Sequence, residues 1–228
     1  MNGAMRKLGI VLFVLCFQSP AQATLFFSEY IEGSGNNKAL EIFNAGSGPV
    51  DFSGGDYLLQ FFFNGSTSPG RTLALTGAVA TGDVWVVADE DFDSAYAAVI
   101  NQSAGGSWYN GDDGIGLYYQ GELLDFIGQL GVDPGSEWGA GLISTQNNTL
   151  LRSTSVTAGD ILATDLFDPA LEWSGLAQDS FTDLGSYLWQ GVAADGQPVP
   201  LPGTLWLILL GIGFLILPIR RERAEITF

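Results

Sequence analysis

Between residues 24 and 190, apolar or alternating runs of four to seven residues are repeatedly cut by clusters of Gly, Asn and Asp. That punctuation leaves no room for long helices and favours short antiparallel strands. Strands are expected at Leu25–Ile31, Ala39–Phe43, Tyr57–Phe63, Thr72–Leu75, Val84–Ala88, Ile115–Tyr119, Leu123–Ile127 and Thr149–Ser153. The segments between them carry turn chemistry: Gly33–Asn37, Ser53–Asp56, Asn64-Gly65, Asn110–Gly114 and Asp133–Gly135. Gly and Asn tolerate positive φ and Asp caps its own turn, so these residues need no ligand to explain them. Gln120-Gly121 marks the most local hairpin. Asp91 to Asn101, with Phe92, Tyr96 and Ile100 at four-residue spacing, reads as the one helical turn. The fold class expected is all-β, a two-sheet sandwich over residues 24–190.

Both ends differ in kind from this middle. Residues 1–23 run from Arg6-Lys7 through an apolar stretch to Ala21-Gln22-Ala23, a small-x-small cleavage site before Thr24. This is the layout of a secretory signal peptide. The rival is a lipoprotein signal acylated at Cys16, although Phe13-Val14-Leu15 lacks the small residues such processing wants. At the other end, a Pro-containing linker at 191–202 leads into an uncharged run at 203–219 and a basic tail at 220–228. Seventeen residues at about 1.5 Å each reach the lower limit for a single transmembrane helix. The arginines would stay cytoplasmic.

Charge narrows the function classes. Residues 24–200 hold Lys38, Arg71 and Arg152 against 23 acids, a net charge of −20. Nucleic-acid affinity comes from Lys and Arg displacing counterions at phosphates, so no nucleic-acid partner is expected. There is no histidine, and the single cysteine, Cys16, lies in the leader. Ser-His-Asp triads, Cys-His pairs, ordinary zinc sites and disulfides are thereby excluded from the domain. Gly33-x-Gly35 has Lys38 where a dinucleotide loop would carry its third glycine, and no Gly-Lys-Ser/Thr follows any glycine loop.

Val199-Pro200-Leu201-Pro202-Gly203, the apolar run and Arg220-Arg221 together resemble the PEP-CTERM sorting tail of Gram-negative bacteria. The resemblance implies an exosortase-like processing enzyme as partner, transient anchoring in the inner membrane and a final place at the cell surface or outside the cell. Leu201 stands where that signature usually has Glu between prolines, and a plain single-pass anchor is the competing reading.

Ser28-Glu29-Tyr30-Ile31-Glu32-Gly33-Ser34-Gly35-Asn36-Asn37-Lys38-Ala39-Leu40-Glu41-Ile42-Phe43-Asn44 resembles the opening block of the bacterial lamin-tail domain. Gly82–Ala88, Tyr109–Tyr118, Leu124–Gly135, Trp138-Gly139, Asn148–Arg152 and Glu172-Trp173 through Gly185-Ser186 continue the likeness in order, over nearly all of residues 25–187. It implies an immunoglobulin-like β-sandwich and a non-catalytic module for adhesion, matrix organisation or protein localisation, with a matrix or surface component as partner. The family carries no established catalytic residues, so no catalytic residue is transferred. Glu29, Glu41, Asn36 and Asn37 are read as structural, pinning the first hairpin loop through side-chain hydrogen bonds.

Two chemical alternatives stay open. Asp89, Asp91 and Asp93 occupy the first, third and fifth places of an EF-hand-like loop, but Ser94 and Ile100 replace its glycine and its bidentate Glu. Asp112 and Asp113 lie in a Gly-rich turn. Calcium is the only cofactor these residues suggest, and solvated loop acids are the plain alternative. A carboxylate pair could also serve a secreted, calcium-assisted hydrolase. Trp85, Trp108, Trp138, Trp173 and Phe61-Phe62-Phe63 fit core packing better than a sugar platform.

Overall fold

The computed structural model describes residues 25–190, so the expected signal peptide, linker, membrane span and basic tail lie outside the described residues. Among the described residues no helix is long and apolar enough to cross a membrane.

The strands run, in chain order, β1 (Leu25–Glu32), β2 (Lys38–Asn44), β3 (Val50–Asp51), β4 (Tyr57–Phe62), β5 (Arg71–Ala74), β6 (Ala78–Val79) and β7 (Val84–Asp89). They continue with β8 (Gln102–Ala104), β9 (Gly114–Tyr119), β10 (Glu122–Ile127), β11 (Gly139–Ala140), β12 (Ile143–Ser144), β13 (Asn148–Arg152) and β14 (Trp173–Ala177). Six of them form one sheet, ordered β14-β13-β1-β2-β7-β8, and four form another, ordered β10-β9-β4-β5. The β3–β6 and β11–β12 pairs are two-stranded ribbons. Every pair is antiparallel except β7–β8.

Each of the eight expected strands forms, with ends within one residue of the expected ones. The hairpin between β9 and β10 turns at Gln120 and Gly121, both at positive φ (50° and 86°), which matches the right-handed twist of its strands. The helical turn expected over Asp91–Asn101 is corrected to a three-residue 3₁₀ turn, Ser94–Tyr96, capped by the Asp93 carboxylate at the Ala95 N–H. It stops because Asn101 is captured by β7. The Val86 N–H donates to the Asn101 side chain and the Asn101 N–H to the Val86 carbonyl, turning the chain into β8.

Phe27, Tyr30, Leu40, Ile42, Val87 and Leu150 of the larger sheet meet Leu59, Phe61, Ile115, Leu117 and Ile127 of the smaller one in the main core. Tyr30 and Tyr109 stack there at 4.9 Å. Trp138 and Trp173 are buried, and Trp85 and Trp108 pack half-buried against the core.

The larger sheet is covered on its other face as well. A bulge between Phe27 and Glu29 shifts the register of β1, so Phe27 and Tyr30 both point into the sandwich while Glu29 turns to the opposite face. On that face Ile31, Ala39, Val86 and Ala88 pack under Phe92, Phe181 and Leu184, and Phe26 and Phe43 lie under Tyr187 and Trp189. Residues 178–190 therefore form a strap across the sheet. Burial on both faces is why all eight residues of β1 are inaccessible, a pattern unlike the alternation of a half-exposed strand.

Candidate functional site

Ala21, Ala23 and Thr24 of the cleavage site, and Val199, Pro200, Leu201, Pro202, Gly203, Arg220 and Arg221 of the sorting signal, lie outside the described residues. The acids suggested for calcium can be placed. Asp89 accepts the Asp91 N–H at 2.9 Å, Asp91 accepts the Asn36 side-chain amide at 3.0 Å, and Asp93 is the cap just described. Asp113 takes the Asn64 and Asn110 N–H groups at 2.8 and 2.9 Å, one on each oxygen. Asp112 beside it is buried, with one oxygen lacking any partner. Burial raises the pKa of both carboxyls, and Asp133 nearby adds to it. Among the described residues no three His, Cys, Asp or Glu side chains gather where they could hold a metal ion.

Asn36 and Asn37 do fasten the first hairpin loop, through long-range partners. The Asn37 side-chain Oδ1 accepts from the Asp93 N–H at 3.0 Å, and its side-chain amide donates to Asp179 at 3.2 Å. Glu29 and Glu41 have a different place from the one expected. They sit in mid-strand beneath the strap, where Glu41 accepts the Ser28 hydroxyl at 2.6 Å and the Gly185 N–H at 2.7 Å. They pair across β1 and β2 three positions before the loop, on the face that the strap covers.

A third arrangement was not legible as a site. Arg152 on β13 is buried, with its guanidinium donating to Asp125 at 3.0 Å and to Glu172 at 2.6 Å and lying 4.7 Å over the Trp173 ring. Asp125 also accepts the N–H groups of Phe27, Phe126 and Asp160. Burial pushes the Asp125 carboxyl up, and the arginine and these three donors pull the other way. The knot ties both sheets to the loop that follows β13.

Around that knot the surface is hollowed. One hollow, of about 260 Å³, is lined by Phe126, Arg152, Asp160, Asp165, Leu166 and Asp168 among others. A second, of about 500 Å³, lies between β13, β14 and the strap, with Leu188 and Asp183 on its wall. A third, of about 360 Å³, follows Ser153 to Ala158. All three share Leu171 and Glu172, so they form one branched groove. Leu166, Leu171 and Leu188 stand 80%, 78% and 83% exposed along it. The strap ends at its rim, with the Gln190 N–H donating to the Thr154 carbonyl.

The sheet order and the opening block can now be set beside known proteins. The lamin tail domain family matches residues 18–131, half of the chain. The chain belongs to the lamin tail domain family. That family is one of non-enzymatic, immunoglobulin-like domains, and the all-β sandwich agrees with it. No curated protein and no solved structure matches the chain. The matched stretch ends just after β10, so β13, β14, Arg152, the strap and the whole rim at Leu171 and Glu172 lie beyond it.

Proposed function

We propose that this lamin-tail domain is a non-catalytic module displayed at the surface of a Gram-negative cell, where it serves adhesion, matrix organisation or protein localisation. The observation that carries the reading is the branched groove at Leu171 and Glu172. It is half-open to solvent and lined by exposed leucines, which suits recognition of a partner's surface. The hydrolase alternative wants, facing a cleft, a carboxyl whose pKa burial has raised. The carboxyls so raised, Glu29, Glu41, Asp112, Asp113 and Asp125, line none of the three hollows.

Export is the other half of the proposal: the leader is removed after Ala23, and an exosortase-like enzyme processes the tail at its Pro200–Gly203 signature. The test is fractionation of a Gram-negative host expressing the full chain with an epitope after Phe228. Surface protein that has lost both leader and epitope is the expected result. Retention of most of the protein in the cytosol would overturn it.

A further inference from the structure

We propose that the groove around Leu171 and Glu172 binds a cationic segment of another protein in which leucine-sized apolar side chains alternate with lysine or arginine. The inference deepens the reading of the domain as a surface recognition module and rests on it.

Three features lead there. First, Leu166, Leu171 and Leu188 are about four-fifths exposed and come from two separate stretches of chain, with Leu166 on the first hollow, Leu188 on the second and Leu171 on both. A single exposed leucine means nothing, but leucines converging from two stretches on linked hollows mark a surface that gains by being covered. Second, the rim is acidic. Asp160, Asp165, Asp168 and Glu172 line the first hollow and Asp183 the second. Among the described residues that line the groove the one cation, Arg152, has already given its charge to Asp125 and Glu172. A neutral or acidic apolar partner would strip water from these carboxylates and offer nothing in return, whereas Lys or Arg on the partner would pair them. Third, the same charge disfavours the other occupants. A second copy brings another strongly acidic domain, and an anionic lipid surface repels the rim.

The experiment uses the full chain in lipid nanodiscs and a fluorescein-labelled peptide of alternating Leu and Lys. The controls are a Ser-Lys peptide of equal charge and a Leu-Glu peptide. Binding of the Leu-Lys peptide, at least tenfold tighter than Ser-Lys and weakened by salt, with no binding of Leu-Glu, is expected. The double variant Leu166→Ser/Leu171→Ser should lower affinity at least tenfold without moving the melting temperature, since neither side chain is in the core. Asp165→Asn should flatten the salt dependence. Equal binding of the two lysine peptides, or unchanged affinity in the leucine variant, overturns the proposal. So does a disulfide between copies of a Leu171→Cys variant, which would assign the groove to self-association. Quenching of tryptophan fluorescence by brominated lipid tails, relieved in the leucine variant, would assign it to a membrane and equally overturn it. Fractionation is read independently, so surface display can hold even if the groove takes another partner.

Discussion

Glu29 and Glu41 are directly opposed register partners on β1 and β2, both 1% exposed, and neither carboxyl oxygen of Glu29 has a hydrogen-bond partner. Two acids so placed cannot both stay ionised at low cost. Burial, then Glu41, then Asp183 on the strap lift Glu29 from 4.5 to about 9. Burial lifts Glu41 only to about 6, because the Ser28 hydroxyl and the Gly185 and Ser186 N–H groups favour its anion. The strap thus lies over one carboxyl that stays protonated and one that its own backbone solvates.

Stability should therefore fall as the solution becomes more alkaline. Both folded pKa values lie above the unfolded value of 4.5, so their contribution is complete below that pH. It is lost as pH rises, through about 6 for Glu41 and about 9 for Glu29. For Glu29 the loss between pH 4.5 and 7 is about 3 kcal/mol, at ~1.4 kcal/mol per pH unit. Glu29→Gln, which cannot ionise, should match the parent chain near pH 4 and exceed its stability by a similar amount at pH 7. Urea midpoints across that range check this. Parallel pH profiles for the two proteins would refute it.

Tyr109 bridges the root of the first hairpin. Its hydroxyl lies 2.9 Å from the Ile31 carbonyl and 2.7 Å from that of Ala39, and its ring stacks on Tyr30. Tyr109→Phe keeps the ring and removes a hydroxyl donor lying between two carbonyls in the core, at a cost of about 1–2 kcal/mol. A denaturation midpoint unchanged within error would mean that the hydroxyl contributes nothing to holding β1 and β2 together.

How much of this could be read from the chain alone differs by element. β1, β2, β4, β5, β7, β9, β10 and β13 are legible because apolar runs and Gly/Asn/Asp turns report local geometry. β14 is not, since Trp173-Ser174-Gly175-Leu176-Ala177 shows no clear alternation and pairs only because β13 offers an edge. The placing of Glu29 depends on the bulge beside Ser28. Strict alternation from Leu25 would put Glu29 on the face of Phe27, and no local pattern announces the shift. Leu166 and Leu171 belong to no expected strand, and nothing local in the sequence announces that they stand in solvent. The isolation of Arg152 among so many acids was the one available signal for the knot beneath the groove.

Calcium should leave the domain's melting temperature within about one degree, because a ligand stabilises only the state it binds. Both oxygens of Asp113 are taken by backbone donors, and Asp89 and Asp93 each serve a turn. The check is a thermal scan with millimolar Ca²⁺ and then with chelator. A saturable rise of several degrees, absent with Mg²⁺ and abolished by Asp112→Asn, would make the orphan oxygen of Asp112 a ligand.

Arg152 and Asp125 should behave as a unit. Removing one member of a buried pair strands the other as an uncompensated charge, so Arg152→Met should destabilise the domain by about 3–5 kcal/mol. Asp125→Asn alone leaves Arg152 with only the half-exposed Glu172 carboxylate. Combining the two substitutions strands no charge, so the double variant should lose clearly less than the sum of the singles, with a coupling of about 1–3 kcal/mol. Additive losses in a urea-denaturation cycle would mean that Arg152 acts through its stacking on Trp173. In that case the arginine serves the groove as an apolar plate, and its charge is incidental to the fold.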